Sequence, residues 1–461
     1  MSGFDPGQLA ARLAAFASAP RCWIAFSGGL DSSVLLSAAA AIRTQLPGAL
    51  HAVHIDHGLH PDSGLWAARC ASRCEALAIP LLIRRLNLQP PPGASIEAVA
   101  RAARYRAFVD LLGPGDLLLT AHNRDDQAET LLLALLRGSG VQGLAAMPFA
   151  APLGAGHLLR PLLDVTRDAL AVYARAQGLD WSEDPSNGET ALDRNYLRHR
   201  ILPLLRERWP AVSTVLARSA SHCAEAAELS ERLAAETLAG LRGERPGTLD
   251  IPALSRLDRA LQKAALRLWI RQAGFAAPDA RHLDRILDEV LPARADANPL
   301  VAWAGCEVRR YRDALFVLAP LPCPPSPATE IQWSVGDAIA TLELPHGLGR
   351  LVWHPAVDGK SEPKRLVVRF GQTGLSCRTS AAGHARPLKK LFQEAGIPVW
   401  LRPYVPLIFA DESLLAVGGI CLCRGQETAA APQGTWSWQG HPWGIFVSVA
   451  APRFLPETQR F

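Results

Sequence analysis

Between residues 21 and 136, short apolar runs alternate with helical stretches, and nothing else in the chain constrains the fold as much. RCWIAF (21–26) ends at a Ser-Gly-Gly turn, after which Val34, Leu35, Ala38, Ala39 and Ile42 recur at helical spacing. A second run, 49–55, precedes polar DHGLH and a helical stretch through Leu77. Residues 80–86 predict a third strand and Asp116–Thr120 a fourth. Ser95 is placed to cap the helix SIEAVARAARYRAFVDLL between them. Strands alternating with helices predict an α/β fold with a parallel sheet wrapped by helices. Ligands of such sheets bind beyond the carboxyl ends of the strands, and each polar motif of this region falls at such an end.

The pattern changes after about residue 212. Residues 213–241 and 253–290 are helical, rich in alanine and leucine, with arginine on their outer faces, and Val308–Val317 predicts a strand. APLPCPPSPA (319–328) breaks every regular element and reads as a linker. ATLEL, GRLVW and KRLVVRF are strand-like runs; PLKKLFQEAG is a helix with Pro387 in its first turn and Gly396 at its end; LLAVGGICLC closes a small α+β module. The expected division is a parallel-sheet domain at 1–212, a helical middle domain at 213–318, a linker with leading strands at 319–360, a small C-terminal domain at 361–425 and a tail at 426–461. At ~100–200 residues per domain, this length suits two to four domains.

The net charge of +5, from 48 basic and 43 acidic residues, is too mild to demonstrate nucleic-acid binding. Its distribution says more: four of five lysines (Lys360, Lys364, Lys389, Lys390) lie in one late segment. Nine cysteines show no framework spacing and no CxxC; the nearest approaches are Cys70/Cys74 and Cys421-Leu422-Cys423. That pattern predicts a reducing compartment with free, mostly buried thiols. The N-terminus lacks a basic start followed by an apolar block, and no run approaches the ~20 apolar residues of a membrane span, so a soluble cytoplasmic protein is expected.

The sharpest motif is Ser27-Gly28-Gly29-Leu30-Asp31-Ser32-Ser33, on a strand-to-helix turn. Two glycines let the backbone approach an anion, the serines add hydroxyl donors, and the helix start adds its positive dipole end. Asp31 would repel bare phosphate, so it implies Mg²⁺ as well. A helix capped by Ser and Asp after a glycine turn is the plainer reading of SGG alone. The kinase-type loop is absent: Gly359-Lys360-Ser361 has His354 where its first glycine belongs. His54-Ile55-Asp56-His57-Gly58-Leu59 sets two histidines and a carboxylate at the second strand end, or is an ordinary polar turn. Ala121-His122-Asn123-Arg124-Asp125-Asp126-Gln127-Ala128-Glu129-Thr130 follows the fourth strand. Helix capping accounts for one aspartate there; Mg²⁺ binding or deprotonation of an amine accounts for the crowding.

SGGLDSS resembles the PP-loop of ATP pyrophosphatases, which cleave ATP between its α and β phosphates. HIDHGL, the arginine-bearing helix 98–108, AHNRDDQAET with LLLALLRGSG, and WSEDPSN with RNYLRHRILPLL stand in the order seen in the lysidine synthetases of that superfamily. LDRILDEV and CEVRRYRDALFVL resemble their middle domain, and PLKKLFQEAGIPVWLRPYVPLIFADESLLAVGG their C-terminal domain. Asn123 departs from the pattern, standing where relatives often carry a second histidine, and RFGQTGLSCR is a degenerate version of a basic strand and turn.

The resemblance implies isoleucine tRNA with a CAU anticodon, ATP and free lysine as substrates, Mg²⁺ as cofactor and no membrane, and it allows a homodimer. ATP would adenylate the C2 oxygen of the wobble cytidine, releasing pyrophosphate; the lysine ε-amine would then attack C2 and expel AMP. Ser27 to Ser33 and His57 would hold the nucleotide, and Asp31 and Asp126 the metal. Asp125 or Asp126 would deprotonate the lysine ammonium, and Arg198 would steady phosphate. Arg101 and Arg104, three apart on one helix face, and Arg386, Lys389 and Lys390, which oppose the dipole at a late helix start, would meet the RNA backbone. A tRNA thiolase is the nearest rival, but it would need a persulfide or iron–sulfur cysteine set, and none of the nine cysteines is suitably paired. A noncatalytic tRNA-binding protein is the other, to be separated by pyrophosphate release.

Overall fold

The computed structural model describes residues 4–441 except 17, 90, 92, 94, 183–191, 295–296, 356–363, 380–383 and 424–433. The chain divides into two compact units, Met1–Leu229 and Ser230–Phe461. The GKS tripeptide and most of WSEDPSN and of the 426–461 tail lie outside the described residues.

The first unit holds β1 (Arg21–Ala25), β2 (Ala49–Asp56), β3 (Leu81–Arg85), β4 (Leu117–Leu119), β5 (Ala150–Leu153) and β6 (Gly156–Leu159) in one sheet, ordered β3-β2-β1-β4-β6-β5. All neighbours run parallel except the β5–β6 hairpin at the edge. That hairpin, AAPLGAGHLL, goes beyond the four strands expected. Its Leu153-Gly154-Ala155-Gly156 turn has Gly154 at φ +57°. The helices are α1 (Pro6–Leu13), α2 (Leu30–Ala41), α3 (Ser63–Ala76), α4 (Ile96–Leu111), α5 (Arg124–Leu136), α6 (Val141–Leu144), α7 (Arg167–Ala176), α8 (Asp193–Tyr196) and α9 (Leu202–Arg208).

Alternation along β1 sends Cys22 and Ile24 to one face and Trp23 to the other. The first face packs with Leu9 and Leu13 of α1, Leu35 and Leu36 of α2, Cys70 of α3 and Leu170 of α7. The second packs Trp23, Val53 and Leu118 against Phe108 of α4. Both faces are covered, as a parallel sheet requires. At the amino end, Arg21 makes a paired contact with the buried Asp116 carboxylate (2.7 and 3.1 Å), fixing the starts of β1 and β4. The strand order reverses direction between β1 and β4. That switch point, at the carboxyl end, opens onto the loops after both strands.

α10 (Val212–Ala239) runs across the division between units. In the second unit, α11 (Ile251–Ser255), α12 (Arg259–Gln272) and α13 (Ala280–Arg285) pack on a sheet ordered β7-β10-β9-β8. Its strands are β7 (Leu249–Asp250), β8 (Leu300–Trp303), β9 (Cys306–Tyr311) and β10 (Ala314–Leu318). The single strand expected at 308–317 is therefore corrected to the β9–β10 hairpin. Its turn places Arg312 at φ +54° with no glycine to signal it.

A separate core builds the small domain around Trp353, Phe370, Leu366 and Ile408. Here β11 (Glu330–Val335), β12 (Ala340–Glu343), β13 (Arg350–Pro355), β14 (Lys364–Arg369), β15 (Ser376–Cys377), β16 (Arg386–Pro387), α14 (Leu388–Glu394), β17 (Leu407–Ala410), β18 (Ser413–Val417), β19 (Cys421–Leu422) and β20 (Gly434–Gln439) follow in turn. They form sheets ordered β11-β14-β17-β18-β19, β12-β13-β20 and β15-β16. β20 takes GTWSWQ from the expected tail into the domain, pairing Trp436 with Trp353 across β13. Cys377 and Cys423 are disulfide-bonded, which corrects the expectation of free thiols throughout. They are 46 residues apart, and only strand packing brings their Cα atoms to 5.1 Å.

Candidate active site

The chain leaving β1 turns at Gly28, whose φ of +84° lies where glycine is favoured. A Cβ at this position would meet Cys70 Sγ at 3.0 Å. Gly29 then caps α2 with no side-chain acceptor, whereas α1, α4, α5 and α7 are each capped by a side chain. The first-turn amides of α2 are left for an anion at the switch point. Ser32 Oγ donates to Gly29 O (3.0 Å) and lies 3.0 Å from Ser27 Oγ, while Leu30 packs on the core. Ser182 N donates to Gly28 O (3.0 Å), so the described start of WSEDPSN lies along the loop.

Asp31, in the first turn of α2, has a buried Oδ1 with no hydrogen-bond partner. Burial, then the field of Asp126, raises its pKa from 3.8 to about 6, against the pull of Arg167, Arg198 and Asn123. A carboxylate at a helix N-terminus held this high is short of positive charge, and an Mg²⁺ ion would supply it.

Across the switch point, α5 begins after β4. Asn123 is its N-cap: its side chain accepts from Asp125 N (2.9 Å) and Asp126 N (3.2 Å), and Asp126 Oδ2 accepts from Asn123 N (2.9 Å). The residue that departs from the family pattern thus closes a capping box. The two adjacent aspartates diverge. Asp125 accepts from Arg167 N at the start of α7 (3.0 Å) and pairs with Arg206 of α9. Asp126 stays at the centre, its Oδ1 accepting from Arg198 (2.8 Å) and Arg194 (3.1 Å). Glu129, one turn on and 1 % exposed, accepts from Arg198 Nε (2.6 Å), Arg198 Nη2 (2.9 Å) and Arg194 Nε (2.8 Å).

Burial disfavours the Arg198 charge, but hydrogen bonds and field from Glu129, with the fields of Asp126 and Asp31, more than offset it and raise its pKa. His122 is driven the other way, down to about 4 by burial and by Arg160, Arg194 and Arg101, with Asp126 opposing. Its imidazole is neutral at physiological pH, with Nδ1 2.9 Å from Thr120 Oγ1. Arg101 is exposed and lies 4.9 Å from the Tyr105 ring; Arg104, more enclosed, has its pKa lowered by burial.

Of the HIDHGL residues, His54 is buried against Phe26 O (2.9 Å) and Asp56 accepts from Gly58 N (2.9 Å). His57 directly follows β2, the neighbour of β1 in the sheet. Sequence reasoning had His122 and Glu129 only as members of the crowded motif after β4 and Arg194 only within a family motif, gave none of them a role of its own, and left out Arg160. The signals available were Asp126/Glu129 and Arg194/Arg198 at helical i,i+3 and i,i+4 spacing.

In the small domain Arg386 pairs with Glu394 (2.8 Å) and Arg369 with Glu330 and Glu412, while Lys389 and Lys390 are exposed on α14. Among the described residues no helix is long and apolar enough to cross a membrane.

The chain matches three family models: PP-loop domain over residues 7–205, TilS substrate binding domain over 249–316 and TilS substrate C-terminal domain over 366–438. It is 41% identical over 454 residues to a tRNA(Ile)-lysidine synthase of Coxiella burnetii, covering 98% of both chains. It is similarly related to proteins of that name from Methylococcus capsulatus (43%; 89% of this chain, 93% of the other) and Serratia proteamaculans (42%; 94% and 98%).

Proposed function

Because the chain belongs to the tRNA(Ile)-lysidine synthase family, we propose that its first unit carries both chemical steps of lysidine formation and its second unit grips the tRNA. It is an ATP-using enzyme that modifies isoleucine tRNA. The wobble cytidine C2 oxygen attacks the α-phosphorus of ATP and pyrophosphate leaves. The ε-amine of free lysine then adds at C2, loses a proton, and AMP leaves with the oxygen.

The α2 amides, with Ser27, Gly28, Gly29, Ser32 and Ser33, are suited to the ATP phosphates, and His57 borders the nucleotide. The unpartnered, buried Asp31 oxygen fits a divalent cation. Asp126 is a weaker ligand, since its Oδ1 already takes two guanidinium bonds and Oδ2 one amide. Bound there, Mg²⁺ would offset charge on the departing pyrophosphate. Of the paired aspartates we assign the amine proton to Asp126, which stands close enough to Asp31 for its field to be felt there, rather than to Asp125, which is turned toward α7 and Arg206. Arg198 holds Asp126 and Glu129 in place and lends positive charge where the adenylate forms. Arg101, Arg104, Lys389, Lys390 and Arg386 meet the RNA backbone, Arg386 after release from Glu394. A cytoplasmic location and a homodimer complete the proposal.

The observation that carries this reading is the uncapped start of α2, with the unpartnered Asp31 oxygen beside it, at the sheet's switch point. The test is mass analysis of nucleosides from CAU isoleucine tRNA after incubation with the chain, ATP and lysine. Cytidine should gain lysine less one water, with pyrophosphate released in step. A sulfur-for-oxygen gain, or unmodified cytidine, would overturn the proposal.

A further inference from the structure

Three sulfur atoms converge at the edge of the five-stranded sheet in the small domain. Cys377 comes from β15, Cys421 from β19, and Cys423 follows two residues later, where its amide bonds Leu415 O (2.8 Å) and extends the pairing with β18. Residues two apart on an extended segment share a face, so Cys421 and Cys423 both reach Cys377. All three Sγ atoms lie within 4.8 Å of one another, and Cys377 is 1 % exposed. A structural disulfide accounts for Cys377 and Cys423. It does not account for the Cys421 thiol, whose Sγ lies 3.8 Å from that of Cys377. Two thiolates sharing one tetrahedral zinc, each about 2.3 Å from it, stand about 3.8 Å apart.

We propose that the reduced cluster is a soft-metal site in which Cys377, Cys421 and Cys423 hold one Zn²⁺ as thiolates. The fourth position is taken by solvent, since among the described residues the cluster comprises these three alone. Opening the Cys377–Cys423 bond takes two electrons and two protons, supplied by two equivalents of a monothiol that couple to each other. Zinc then displaces three thiol protons. A dication at bonding distance favours the thiolate form of each ligand, so uptake releases protons to solvent. Thiolates select a borderline-soft ion, so this site would not compete for the Mg²⁺ proposed in the first unit. Its place has a consequence: β15 pairs with β16, which leads into α14, so the metal would tie the start of the Lys389–Lys390 helix to the sheet edge.

The full-length chain, reduced and freed of metal, is titrated with zinc chloride against a chromophoric chelator, and in parallel with Co²⁺ to read thiolate-to-cobalt absorption. One zinc per chain and a charge-transfer band are expected, with zinc also slowing alkylation of the three cysteines. Cys421→Ser should bind at least tenfold more weakly. Because it leaves Cys377 and Cys423 intact, re-formation of their disulfide on oxidation, with unchanged circular dichroism, shows that the domain has folded. Equal zinc retention by wild type and Cys421→Ser would overturn the proposal, as would no uptake by the reduced, folded wild type. Neither result bears on lysidine formation.

Discussion

Replacing Asp31 by Asn should abolish turnover and at the same time make the first unit more stable. Asp31 keeps a buried oxygen without a partner, and its pKa is raised from 3.8 to about 6. A carboxyl group whose folded pKa lies above its unfolded value binds protons more tightly in the folded state. Stability is therefore lost as pH rises from about 4 through 6, and the full cost is present at pH 7.5. A separation of roughly two pH units corresponds to about 3 kcal/mol. Asn has similar shape and no charge to desolvate, so it should recover most of this. For a unit of this size, ~2–4 °C per kcal/mol gives a rise of roughly 6–12 °C in melting temperature. The assay is thermal unfolding of both proteins from pH 4 to 7.5, with tRNA-dependent pyrophosphate release measured on the same samples. The two melting curves should converge near pH 4 and separate by pH 7, and Mg²⁺ with ATP should stabilise only the wild type. An Asp31→Asn protein that is less stable at pH 7.5, or whose advantage does not grow with pH, would refute the argument.

Four further outcomes are expected. Glu129→Gln leaves Arg194 and Arg198 with Asp126 as their one remaining shared anion and should cost ~3 kcal/mol; a change under ~0.5 kcal/mol in chemical denaturation would mean that Asp126 and solvent suffice to neutralise them. Asp125→Ala should lower stability by about 1–2 kcal/mol through loss of the α7 contact and the Arg206 pair, yet keep pyrophosphate release within a few fold below its melting temperature. A collapse equal to that of Asp126→Asn would return Asp125 to the chemistry. Gly28→Ala forces a side chain into positive φ, at a cost of ~1–2 kcal/mol, and against Cys70 Sγ; the KM for ATP should rise about tenfold, and an unchanged KM would show that the loop does not seat the phosphates. Lys389→Ala with Lys390→Ala should reduce the salt dependence of tRNA binding by up to about two in log–log slope; an unaltered slope would leave both lysines as solvated surface.

What the sequence determined by itself is local or periodic. The strand, Gly-Gly turn and helix around Ser27–Ser33 are contiguous, so their backbone demands are written in adjacent residues. Apolar runs alternating with helical spacing force a parallel sheet, and the sheet places its loops at one end. Side-chain direction and long-range pairing needed the tertiary structure. Asp125 and Asp126 are neighbours in the chain, yet successive positions on a helix point about 100° apart, so one meets α7 and Arg206 and the other the centre of the site. Glu129 meets Arg194 across 65 residues, and no spacing rule reaches that far. Asn123 reads in the sequence as a lost histidine, but in the structure its side-chain oxygen accepts from the amides of Asp125 and Asp126 and caps α5. The β9–β10 turn was hidden because Arg312 takes a positive φ without glycine, and β20 because its partner strand lies some eighty residues earlier in the chain. The three cysteines were equally illegible: a thiol's neighbours depend on which strands pair, and that choice is made by the whole buried core, not by the residues beside each sulfur.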